Sequence, residues 1–175
     1  MANLNTNESP KVYVSTYAKY NNGSLKGAWL ELDDYTDHDE FIEACQQLHN
    51  DEDDPELMFQ DYENFPDAYY SESSIDPDVW QWIDLDDDER EMLEAYQTCI
   101  YADGTIEQAQ DAFAGSADSF TDWVEDFIDS TGMLDQIPEN LRYYFNIDSY
   151  ARDMELTGEV CSDQINGTTY VFWNH

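Results

Sequence analysis

Forty-one aspartates and glutamates stand against six lysines and arginines, a formal net charge of −35 on 175 residues. No other feature constrains the fold so strongly. Any compact state must leave most of these carboxylates in water, because an unpaired buried charge is strongly destabilising. Compaction also brings like charges together. The same excess excludes nucleic-acid binding through a basic face, since each phosphate contact needs a cation. It argues equally against an anionic membrane surface as partner.

A disordered acidic tail would be the simplest outcome of such a charge. Thirteen Tyr, eight Phe and five Trp, 15% of the chain, contradict it, because disordered acidic chains are poor in aromatics. The chain therefore buries a core, in one ordinary domain or a few very small ones. Halophilic adaptation would also produce acid excess with few lysines, and composition leaves that open. Residues 1–10 (MANLNTNESP) are polar and lack a signal-peptide core. No apolar run approaches the roughly 18–20 residues of a membrane span. Three cysteines, Cys45, Cys99 and Cys161, are odd in number and far apart. They do not read as a disulfide framework, so a reducing cytoplasm is the expected compartment.

After a loose arm over 1–10, Lys11 to Tyr17 and Gly27 to Leu32 read as strands of a hairpin around the Asn22-Gly23 turn signal. Thr36 or Asp37 caps a helix to about His49, with Phe41, Ile42, Cys45 and Leu48 on its buried stripe. Glu56 to Gln60 is a short third strand. Pro77 opens a short helix with Val79, Trp80 and Ile83, and Asp84 to Ala102 forms a longer one. Thr105 caps a helix to Phe113, and Gly115-Ser116 is a break. From Phe120 to Ser130, apolar residues Phe120, Trp123, Val124, Phe127 and Ile128 recur at helical spacing behind a Ser119 cap. Short helices follow after Pro138 and after an Asp148 cap. Val160 to Ile165 and Thr168 to Trp173 form a terminal hairpin around Asn166-Gly167. The expected fold is α+β, a chain of three small domains. These are an antiparallel sheet with a helix (1–70), a central helical domain (71–114), and a helical domain ending in a β-hairpin (115–175).

Motifs for chemistry are missing. EF-hand loops started at Asp84 or Asp51 place Glu89 and Ala95, or Glu56 and Tyr62, where Gly and Glu are needed. Cys45 and His49 share a helix face at i, i+4 but have no further zinc ligands. They read as a buried thiol and a helix-end histidine. No P-loop, GxGxxG, GxSxG or HExxH occurs, and His38, His49 and His175 adjoin no nucleophile motif. Carboxylate pairs abound, so a glycosidase-like dyad carries no specificity. Asn166-Gly167-Thr168 fits a glycosylation acceptor but reads as a turn. No catalytic residue, metal site or cofactor is assigned.

The placement of the acids is the informative signal. Asp118, Asp122, Glu125 and Asp129 recur at i, i+4, i+7, i+11, spaced roughly 4.5–6 Å along a helix axis. Phosphates on one DNA strand are ~3.4 Å apart along theirs. Ordinary solvated helix faces mix signs, whereas no cation lies between Lys26 and Arg90, or between Arg90 and Arg142. At one charge per ~1.7 Å of duplex, thirty-five charges correspond to roughly 60 Å, about 18 base pairs. The pattern points to a protein imitating DNA, whose partner is a DNA-binding groove. The candidate surface has three parts. One is Asp51, Glu52, Asp53, Asp54 and Asp61; the second is Asp84, Asp86, Asp87, Asp88, Glu89, Glu91 and Glu94; the third is Asp111, Asp118, Asp122, Glu125, Asp126 and Asp129. A DNA mimic directed at another target, such as a nucleoid protein or another defence system, an acidic chaperone-like binder of basic proteins and a carboxylate-pair enzyme are the competing readings.

Several segments resemble a known family. Lys11-Val12-Tyr13-Val14, Lys19-Tyr20-Asn21 and Gly27-Ala28-Trp29 are similar to the start of ArdA antirestriction proteins. Asp61-Tyr62-Glu63, Thr131-Gly132, Pro138, Tyr150-Ala151-Arg152-Asp153 and Gly158 follow in the family's order. The resemblance implies an elongated, three-part α+β protein, a dimeric, non-catalytic mimic of bent B-form DNA carried by mobile elements or phages. It implies occupation of the DNA groove of type I restriction–modification enzymes, whose methyltransferase core and specificity subunit would be the partner. The Asp84 to Glu89 run departs from the family pattern.

Overall fold

The structure, a computed structural model, describes residues 7–174. Part of the expected N-terminal arm, and His175, lie outside the described residues. The chain divides into two compact units, one up to Leu85 and one from Asp86.

In the first unit β1 (Lys11–Thr16) is the central strand of a three-stranded antiparallel sheet in the order β2-β1-β3. The expected β1–β2 pairing holds, but the connection is more than a turn. Thr16 accepts a hydrogen bond from the Lys19 amide and caps a short helix, α1 (Tyr17–Asn21), before β2 (Ala28–Glu31). Asn22 is the C-cap of α1, so the Asn-Gly signal marks a helix end. Asp37 caps α2 (His38–Leu48), which leads to β3 (Leu57–Glu63). Phe41 and Cys45 of the predicted stripe are buried, but Leu48 is exposed and His49 buried in its place. Phe41, Phe59, Phe65, Val12 and Val14 fill the core. On α3 (Val79–Ile83), the Trp80 indole N–H lies 3.1 Å from both the Leu32 and the Tyr35 carbonyl oxygens, so this buried donor is satisfied.

The second unit contains α4 (Asp87–Cys99), α5 (Ile106–Ala112), β4 (Phe113–Ala117), α6 (Phe120–Thr131), α7 (Glu139–Arg142), α8 (Ile147–Thr157), β5 (Val160–Ile165) and β6 (Thr168–Trp173). Its sheet has the order β4-β6-β5. The terminal hairpin forms as expected, with Asn166 and Gly167 both at positive φ (50° and 92°), as a type I′ turn requires. The 113–117 segment is not a break but a strand on the other side of β6. Gly115 sits there at φ +145°, where an added Cβ would come within 2.7 Å of the Trp123 indole nitrogen. Because α4 packs on β5, the unit boundary falls inside the stretch expected as a central helical domain.

Local signals account for the helices. Capping boxes pair Asp86 with Glu89 and Thr105 with Gln108, satisfying amide groups that a helix start leaves open. Ser119 caps α6. The cap of α8 is Asn146, two residues before the expected Asp148, which lies in the first turn. Trp123, Val124 and Ile128 of α6 pack with Ala151 and Met154 of α8 and with Val160 and Val171 of the sheet.

The odd cysteine count conceals a pair. Cys99 and Cys161 are joined by a disulfide, and Cys45 is the buried free cysteine. This corrects the expectation of three independent thiols: tertiary packing, not spacing, brings the pair together.

Candidate functional site

On α6 the apolar stripe is occupied by the core, which turns the opposite face outward. Asp118, Asp122, Glu125, Asp126 and Asp129 are all exposed. Asp118 precedes the Ser119 cap; at about 100° per residue Asp122, Glu125 and Asp129 of the helix fall within roughly 60° of arc, with Asp126 at its margin. Among the described residues none of the five enters an ion pair. Asp122 accepts a hydrogen bond from the Ser119 hydroxyl at 2.7 Å, which fixes one carboxylate at the helix start. The last turn of α6 has no basic residue, so Asp129 adds negative charge at the negative end of the helix dipole. That arrangement costs stability.

The group on α4 is divided. Asp84, Asp87, Asp88 and Glu94 are exposed. Asp86 and Glu89 are engaged in the capping box, and Arg90 lies 3.9 Å from Asp87. Glu91 is half-buried and spent inside the unit. Its two oxygens accept from the Tyr170 hydroxyl at 2.8 Å and the Asn166 side-chain amide at 2.7 Å. Burial and the Glu91 carboxylate push the Tyr170 phenol upward, so it remains a donor at neutral pH. The Glu94 carboxyl is raised by burial first, then by Asp163 and Glu91.

The loop after α2 shows the same division. Asp53 and Asp54 are exposed, as is Asp61 on β3. Asp51 and Glu52 surround a lysine. The Lys19 ammonium donates to Asp51 at 2.7 Å and to His49 Nδ1 at 2.8 Å, and lies 3.4 Å from Glu52. Glu52 also accepts from the Thr16 hydroxyl at 2.7 Å. His49 is the acceptor in this cluster, so its Nε2 carries the proton and faces the Val14 carbonyl at 3.3 Å. Burial first, and then Lys19, push the His49 pKa below its ordinary value. The helix-end cation expected there is a neutral ring. Lys19 in turn holds the Asp51 carboxyl below its usual range. Asp111, at the end of α5, is exposed.

The two units carry the charge evenly. Residues 1–85 hold 20 acids and 3 cations, a net −17; residues 86–175 hold 21 and 3, a net −18. Lys11 is 2.9 Å from Glu63, and Arg142 is 3.5 Å from Asp135. The Cys45 thiol is pushed up to about 12 by burial, unsuited to metal binding. Glu31, Asp33 and Asp34 bring carboxylate oxygens within 4.8 Å of one another, all exposed. Exposed acids so placed define no metal site on their own. No helix among the described residues is long and apolar enough to cross a membrane.

The architecture defines an acidic α+β protein that displays carboxylates on packed helices and engages several of its few cations locally. Residues 12–166 match the family model described as Antirestriction protein (ArdA), and the chain belongs to that family. All the motif residues above except Lys11 fall in that span. No curated protein matches the chain.

Proposed function

We propose that this antirestriction protein acts as a DNA mimic. It occupies the DNA groove of a type I restriction–modification enzyme and blocks restriction and, because modification uses the same groove, methylation as well. The carboxylates of α6 stand for a phosphate row, and the exposed acids of α4 add charge within the same unit; those of the α2–β3 loop do so within the first unit. The observation that carries the proposal is the α6 face: four exposed acids on the helix and Asp118 just before its cap, outside every ion pair among the described residues, with the helix anchored by its other side. Such a face costs folding stability and suits a cation-lined groove. The proposal includes no catalysis, metal or cofactor. It places the protein in the cytoplasm, as a homodimer encoded on a mobile element.

The test is competition between the protein and a labelled duplex for a purified type I methyltransferase with its specificity subunit. Displacement of the duplex is expected. Neutralising Asp118, Asp122, Glu125 and Asp129 together to Asn and Gln should weaken displacement clearly. No competition by the parent protein, or an unchanged quadruple variant, would overturn the proposal. Light scattering checks the dimer.

A further inference from the structure

Cys99, the last residue of α4, meets Cys161 near the start of β5. Their Cα atoms are 5.8 Å apart across a sequence separation of 62 residues, within the natural disulfide range of ~4.4–6.8 Å. The reduced pair is accommodated as well. Cys161 Sγ lies 3.3 Å from the Cys99 carbonyl oxygen. Carbonyls in the last turn of a helix lack an intrahelical donor, so a reduced Cys161 has an acceptor in reach without movement of the chain. Both sulfurs belong to half-buried residues. Cys45, by contrast, is fully buried.

We propose that Cys99 and Cys161 are a redox-responsive modification site, bridged under oxidising conditions and open as a dithiol in a reducing cell. The oxidant is a small-molecule disulfide of the glutathione class. One protein thiolate attacks it, forming a mixed disulfide and expelling one glutathione thiolate. The second protein thiolate attacks the mixed disulfide at the protein sulfur and expels the other. In sum, two protein thiols lose two electrons and two protons, and one small disulfide becomes two thiols. Reduction is the reverse. Closing the bridge ties α4 to the hairpin at Cys99, while Glu91 holds it near its other end through Asn166 and Tyr170. Oxidation therefore tightens the helix that carries Asp87 and Asp88. The proposal rests on this geometry alone and is independent of which enzyme the protein inhibits.

The experiment equilibrates the full chain in glutathione buffers from reducing to oxidising, quenches by alkylation after denaturation, and counts modified thiols by mass. Three modified cysteines are expected at the reducing end and one, mapped to Cys45, at the oxidising end. Amide exchange in 87–99 and 160–165 should be slower in the oxidised form. The Cys161→Ser variant should lose that difference. If that variant does not fold, the titration and exchange of the parent protein decide alone. Three free thiols in every buffer, a bridge that includes Cys45, a bridge that survives the most reducing buffer, or unchanged exchange would overturn the proposal.

Discussion

Replacing Glu91 with alanine removes one of seven carboxylates between Asp84 and Glu94, yet its effect should be on folding. Its Oε2 accepts from Tyr170, a residue only 6% exposed. A hydrogen bond to a charged acceptor there contributes about 1.5–3 kcal/mol, and its loss strands a buried hydroxyl. The bond to exposed Asn166 adds about 0.5–1 kcal/mol. Relief of repulsion with exposed Glu94 returns a few tenths. The net loss is about 2–4 kcal/mol. For a unit of residues 86–175, each kcal/mol lowers Tm by about 4–8 °C, so a drop of at least about 8 °C is expected in thermal unfolding followed by circular dichroism. Tyr170→Phe should cost less, and the double variant should show a coupling of at least about 1 kcal/mol. Asp88→Ala, on the same helix but exposed, should change Tm little, because the favourable helix-dipole interaction it loses and the repulsion it relieves oppose each other. A Glu91→Ala protein as stable as the parent, or additive single effects, would refute the assignment of Glu91 to the fold.

Other consequences can be measured directly. The His49 pKa is lowered in the folded state, so the unfolded chain binds the extra proton first. Stability should therefore fall as pH drops below about 6.5, the ordinary histidine value. His49→Gln should flatten that limb of a stability–pH curve, and an unchanged limb would exclude His49 as its source. At neutral pH, added salt should raise Tm by screening a net −35; a decrease would mean that ion pairs dominate the fold. Target affinity should instead weaken with salt, because the mimic exchanges with mobile anions on a basic groove. A flat salt dependence in the competition assay would refute charge mimicry. Gly115→Ala places a Cβ 2.7 Å from the Trp123 indole at φ +145° and should cost about 2 kcal/mol or more, read by denaturant unfolding.

Features written into neighbouring residues were legible. The five apolar positions of α6 and its Ser119 cap specify that helix locally, and Asn166-Gly167 specifies the hairpin turn. Features set by distant partners were not. The segment Phe113–Ala117 has small, turn-prone residues and becomes a strand only because β6 offers a ladder. The Cys99–Cys161 bridge depends on α4 packing against β5. The candidate surface shows the same limit. Sequence locates every carboxylate but not the partners of Glu91, which lie 75 and 79 residues away. Nor does it reveal that Thr16 and Lys19 take up Glu52. The exposed α6 row was readable because helical period alone separates it from the core.

The strand order of the second sheet also governs how this protein is made. Its middle strand, β6, comes after both of its neighbours in the chain. During synthesis, β4 and β5 must wait without a ladder, since each pairs only with β6 among the described strands. The β2-β1-β3 sheet has its middle strand first, so each later strand finds a template as it emerges. A ribosome-bound chain should thus acquire the first sheet early and hold unpaired strand edges of the second until β6 is released. The aggregation-exposed interval falls there, on a segment whose own negative charge keeps neighbouring nascent chains apart.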